Sequence, residues 1–190
     1  MNISKGHMHG VYTISAPPAY TDKRGSLVRI FDARVFHEYV EDIRWVQQSF
    51  SQTVPKNVLR GMHVQCSPFT EAKLITIISG EIYWVVVDLR RASPTFGQWD
   101  GFVLSPNNTN GLLVLRGFAH GCLSLTDNCC LVINSDNYYS KEHGTGIVWN
   151  DPELAINWPF NDMKQLIISD EHRAYPSFKS FKAKYGGVDV

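Results

Sequence analysis

The chain has 190 residues, enough for one domain with a sizeable apolar core. Its 18 Lys plus Arg balance 18 Asp plus Glu, so no net field draws it to nucleic acid or an anionic membrane, and an anionic ligand must be held by local charge. The first residues, MNISKGHMHG, lack the apolar stretch of a signal peptide, and no later run approaches the roughly 20 apolar residues of a membrane helix, so a soluble, cytoplasmic protein is expected.

From the N-terminus, HGVYTISAPPA (9–19) reads as a short strand broken by Pro17 and Pro18, and DKRGS (22–26) is turn chemistry leading into LVRIF. VFHEYVEDI (35–43) is the one early segment with helical spacing. Then come IRWVQQSFSQ, NVLRGMHVQ, AKLITIISG, EIYWVVVDLR, WDGFVLS, GLLVLRG, HGCLSLTD and CCLVINSDNYY, β-type segments separated at even intervals by turn residues. That pattern predicts an all-β antiparallel sandwich or barrel with few short helices rather than βαβ units. LITII and IYWVVVDL are apolar on both faces, which predicts burial between two sheets or against a neighbouring subunit, and so a homo-oligomer. Past residue 160, MKQLIIS has the spacing of a helical turn and SFKSFKAKYGGVDV reads as a frayed basic tail. The expected organisation is a single domain over 1–190, with a core over about 9–175 and a tail from 176.

Cys66, Cys122, Cys129 and Cys130 follow no zinc-ribbon or CxxC spacing and read as reduced, packed thiols. Trp149, Asn150, Asp151 and Pro152 read as a structural turn. His63 and His120 stand in stronger contexts. A cupin jelly roll carries an HxH motif and a later P-x-G-x-x-H motif for a metal, but here Gln65 replaces the second histidine and Leu115 the proline. Two imidazoles are too few for a usual catalytic zinc or iron site, so a cupin barrel without metal or other cofactor is expected. The stretch NVLRGMHVQ then poses a question, because Arg60, His63 and the later Lys73 make a positive cluster that is costly in a barrel unless it faces an anion or a carboxylate. For His120 a backbone-anchoring role at a turn weighs evenly against a ligand contact.

LRGMHVQ, AKLITIISGEIYWVVVDLRRASPTFGQW, RGFAHG, DNYYS, WNDPELAINWP and IISD resemble, in order and spacing, the dTDP-4-dehydrorhamnose 3,5-epimerase family, over about residues 9–175. The resemblance implies a metal-free cupin jelly roll, a homodimer, and inversion beside the ketone of a 4-keto-6-deoxy (or 3,6-dideoxy) nucleotide-diphosphate sugar, for deoxysugar and polysaccharide biosynthesis. That chemistry needs a base, a proton donor on the opposite face and a cation for the enolate oxygen. By resemblance His63 is the base, Asp170 the carboxylate behind it and Lys73 the enolate partner. Arg60 is implied at the diphosphate, and Arg24, Gln47, His120 and Tyr139 at further substrate contacts.

The resemblance breaks at Ile133, which falls where the family carries its proton-donating tyrosine. Cys122, His120, another tyrosine or water would then return the proton, or a single centre, C3 or C5, would be inverted. A non-epimerising cupin that binds a nucleotide sugar or partners a sugar-modifying enzyme is the competing expectation. Arg29 and Ser49 also depart from the pattern and imply an altered substrate.

Overall fold

The computed structural model describes residues 1–40, 43–160 and 162–190. Its strands are β1 (Asn2–Lys5), β2 (Val11–Ser15), β3 (Tyr20–Asp22), β4 (Gly25–Leu27), β5 (Gln47–Thr53), β6 (Leu59–Gln65), β7 (Lys73–Ser79), β8 (Ile82–Asp88), β9 (Trp99–Leu104), β10 (Gly111–Val114), β11 (Phe118–Ser124), β12 (Cys129–Ser135) and β13 (Gly144–Gly146). The helices are α1 (Ala33–His37), α2 (Asp170–Arg173) and α3 (Phe178–Tyr185), with a 3-10 turn at Met163–Gln165. Every expected strand between residues 47 and 135 is present. The early helix is shorter than its spacing suggested; Glu41 and Asp42, near the end of that segment, lie outside the described residues.

Six strands form one sheet in the order β1-β2-β10-β7-β12-β5, and five form the other in the order β13-β6-β11-β8-β9. All pairs within them are antiparallel, and neighbours distant in sequence give the crossed connectivity of a jelly roll. Strand periodicity explains the residues that are apolar on both faces. On β8, Ile82, Trp84 and Val86 enter the core between the sheets, while Val85 and Val87 point the other way. Likewise Ile75 and Ile77 of β7 face inward and Leu74 outward.

The chain itself covers both outer faces. The segment from Ile147 to Val188 lays Trp149, Trp158, Leu166, Phe178 and Phe181 against the five-stranded sheet, and Ile3 and Phe36 pack outside the six-stranded one. No partner is needed to bury either strand run. The tail expected to fray is instead an amphipathic helix: Phe178 and Phe181 are buried one turn apart, Lys179 between them and Lys184 beyond face outward, Ser177 caps the start and Gly186 ends it at φ 65°. Val188 then donates to the Leu89 carbonyl at 2.7 Å, adding to the five-stranded side.

The SPTFGQW stretch has a structural role. Asp88, fully buried at the end of β8, accepts from Arg90 Nη2, Ser93 Oγ and Thr95 Oγ1, each at 2.6 Å. Burial pushes this carboxyl up, but the Arg90, Ser93 and Thr95 donors outweigh it and hold it below its ordinary range. Asp151 is likewise structural: it is buried and accepts from the backbone of Glu153, Leu154 and Phe178, tying the WNDP turn to α3. Replacing Asp88 with alanine strands Arg90 and should cost about 3–5 kcal/mol, read as a lower urea midpoint at unchanged slope.

Candidate active site

His63 lies on β6 directly opposite His120 on β11, so the two rings share the inward face of the five-stranded sheet. Gly61 permits this approach. Its φ is +112°, and a Cβ there would sit 2.4 Å from the His120 carbonyl oxygen. Lys73 comes from β7 of the facing sheet and pairs with Glu71 at 3.0 Å. His63, Lys73 and Glu71 line a cavity of about 590 Å³ together with Gln65, Tyr139 and Tyr175, a size suited to a sugar.

The group behind His63 is not Asp170. Asp170 opens α2 and is exposed, whereas His172, two residues on, places its Nε2 2.7 Å from Nε2 of His63. The Gly61 amide N–H also points at Nδ1 of His172, at 3.4 Å. Tyr175 stands edge-on to His63, with ring centroids 5.9 Å apart. On so short a helix a displacement of two residues turns a side chain to the opposite face, which is why counting along the sequence selected the wrong member of SDEH.

Arg60 also departs from expectation. It is exposed at the cavity mouth rather than inside the barrel, beside a groove that shares Glu171 and His172 with the His63 cavity. It makes no ion pair among the described residues. Arg24 is further out, on the exposed β3–β4 turn, where it pairs with Asp22 at 2.6 Å and lines no part of this cavity. Gln47 acts at one remove: its Oε1 accepts the Tyr139 backbone N–H at 2.7 Å and holds that residue at the rim. Ile133 sits between Ser49 and Ile75 and packs on the inter-sheet core. Arg29 pairs with Asp32.

Gln65, where a cupin metal ligand would stand, is fully engaged: its Nε2 donates to the carbonyls of Phe69 and Tyr138, and its Oε1 accepts from Ser140 N. The four cysteines are free thiols, and burial pushes Cys122 up to about 12. Sequence inspection missed His172, Glu71, Glu171 and Tyr175. The signal for His172 was Ser169 as a helix cap, accepting from His172 N.

The imidazoles are held neutral. Burial, reinforced by His172, Lys73 and Arg60, lowers His63 to about 3. Burial likewise holds His120 well below its ordinary value and lowers His172 despite Glu171. Trp84 Nε1–H donates to Nδ1 of His120 at 3.3 Å, so the neutral ring carries its hydrogen on Nε2, which is buried and has no partner among the described residues. An unpartnered buried donor costs about 1–3 kcal/mol and suits an acceptor oxygen brought by a ligand. In the unfolded chain these three rings bind protons below about pH 6.5, whereas the folded protein resists them. Stability should therefore fall as pH drops from 7 toward 5, before carboxylates titrate, and the guanidinium midpoint should decline less steeply in His120→Gln.

The dTDP-4-dehydrorhamnose 3,5-epimerase family matches residues 5–180. The enzyme of that name from Methanothermobacter thermautotrophicus is 40% identical over 160 residues, spanning 84% of this chain and 85% of its own. The rmlC epimerase of Mycobacterium tuberculosis superposes with a TM-score of 0.92 at 30% identity, covering 100% of this chain and 94% of its own. The Legionella pneumophila RmlC, solved in complex with dTDP-4-keto-L-rhamnose, gives 0.89 at 34% identity, covering 100% and 98%. With sequence and fold matching over nearly its whole length, the chain belongs to the dTDP-4-dehydrorhamnose 3,5-epimerase family.

Proposed function

We propose that the protein is an isomerase that inverts C3, C5 or both in a nucleotide-linked 4-keto-6-deoxy sugar, through an enolate formed beside the ketone. The observation that carries this reading is His63, a neutral imidazole lining a sugar-sized cavity with a lysine from the facing sheet. A neutral ring can accept a proton from carbon; an imidazolium cannot. The substrate class is supported by the Legionella relative, solved with a dTDP-4-keto sugar.

In this reading the carbon acid next to the ketone gives its proton to His63. The developing enolate oxygen is met by Lys73 Nζ, which exchanges Glu71 for the substrate, and by the unpartnered Nε2–H of His120. Arg60, exposed at the mouth, takes the diphosphate, where a planar fork of donors suits phosphate oxygens. Tyr139 at the rim stacks on the nucleotide. Ile133 removes a proton donor from the inter-sheet wall, so water returns the proton on the face opposite His63. Burial pushes Tyr175, beside the base, up to about 12, and its phenol therefore remains protonated at neutral pH.

The working unit is a homodimer. Tyr20 and Leu27 on the β3–β4 hairpin are 72% and 74% exposed, and Phe50 on edge strand β5 is 64% exposed, an apolar surface that a monomer leaves wet. Sedimentation should give a dimer, and Leu27→Asp should shift it toward monomer.

Proton NMR in deuterium oxide with dTDP-4-keto-6-deoxyglucose tests the chemistry. The H3 signal, the H5 signal or both should be lost, and His63→Ala should slow that loss by about 10²–10⁴-fold. Unchanged exchange in the variant would remove His63 as the base. Retention of both signals in the native protein, with binding intact, would favour a cupin that binds the sugar without inverting it.

A further inference from the structure

The pair behind the base has a direction. We infer that His172 fixes the tautomer of His63, so that the resting site presents an N–H rather than a lone pair to the sugar cavity; its catalytic consequence rests on the epimerase reading. An amide N–H can only donate, and that of Gly61 points at Nδ1 of His172 at 3.4 Å. Nδ1 of His172 therefore carries the lone pair, and the neutral ring carries its hydrogen on Nε2. The Nε2–Nε2 separation of 2.7 Å has room for one hydrogen, so Nε2 of His63 is the acceptor. The hydrogen of His63 then sits on Nδ1, which has no hydrogen-bond partner among the described residues, on a side chain that lines the cavity.

The groups around the pair keep it neutral. Arg60 on the same strand and Lys73 on the facing sheet oppose a positive charge on His63, as does His172. Lys141, after β12, adds a second cation to the cavity wall. Glu71 is already paired with Lys73, and Glu171 favours a charge on His172 without overcoming its burial. His120 and Tyr175 are neutral neighbours that supply no counter-charge.

For His63 to accept a proton at Nδ1, the tautomer of both rings must reverse. His63 gives its Nδ1 hydrogen to solvent, the bridging hydrogen passes from Nε2 of His172 to Nε2 of His63, and His172 takes a hydrogen from solvent on Nδ1. The proton count is unchanged, but the new Nδ1–H of His172 faces the Gly61 N–H. The base form is therefore the minor one. A carboxylate at this position could only accept and would enforce the base form. His172 is thus a positioning residue that holds His63 back from proton abstraction until a bound ligand reverses the pair.

Long-range proton–nitrogen NMR of protein labelled with ¹⁵N-histidine reads both tautomers directly, without substrate. At neutral pH His63 should be protonated on Nδ1 and His172 on Nε2. His172→Gln, whose amide still donates, should leave His63 protonated on Nδ1. His172→Asp should move the His63 hydrogen to Nε2 and quicken deuterium entry into dTDP-4-keto-6-deoxyglucose by about tenfold or more. A native His63 protonated on Nε2, or one unchanged by His172→Asp, would overturn the assignment. The same result would follow from a His172→Asp protein with a switched tautomer but slower exchange than native. Switched tautomers with no exchange in either protein would leave the pair as assigned and overturn the epimerase reading.

Discussion

The site depends on the contact between β6 and β11 at Gly61. No side chain fits there, because a Cβ would lie 2.4 Å from one backbone oxygen and 2.6 Å from the Gly121 Cα. The close approach sets His63 opposite His120 and is followed by a shift of register before Cys122. It also leaves the Gly61 amide free of the ladder and aimed at α2. One residue without a side chain thereby aligns two rings inside the barrel and orients a third outside the strand. Any larger residue would have to separate the strands, and the ring geometry would go with them.

The C-terminal segment serves stability and the site together. Leu166 and Phe178 are buried on the five-stranded sheet, one on each side of α2. Ile167 is clamped by backbone bonds to Asn57 and from Leu59, and the Pro176 carbonyl accepts from Val148. His172 and Tyr175 therefore project from a short span pinned at both ends, which gives a four-residue helix a position that its own propensity could not.

The electrostatics combine cations with uncharged rings. Lys73 and Arg60 favour an anionic ligand, yet the same charges, added to burial, keep the histidines unprotonated. A nucleotide diphosphate arriving at the mouth would bring negative charge that relieves this opposition, making the imidazolium of a base easier to form once substrate is bound. Ile133 leaves that part of the inter-sheet wall apolar, so a proton delivered to the face opposite His63 has to come from water rather than from this strand.

The sequence by itself determined the sandwich, because period-two alternation and evenly spaced turn residues leave few other ways to bury such strands. It also marked Arg60, His63 and Lys73 as charges needing a purpose, since polar groups stand out against an apolar run. It did not reveal that SFKSFKAKY is a packed helix, because the same lysines that suggest fraying also line the outer face of an amphipathic turn. Nor could it place Arg60 at the mouth or choose His172 over Asp170. Those depend on how a segment 109 residues away along the chain settles across β6. Local patterns encode which face of a strand is wet, but which distant group meets a ring is decided only when the layers pack.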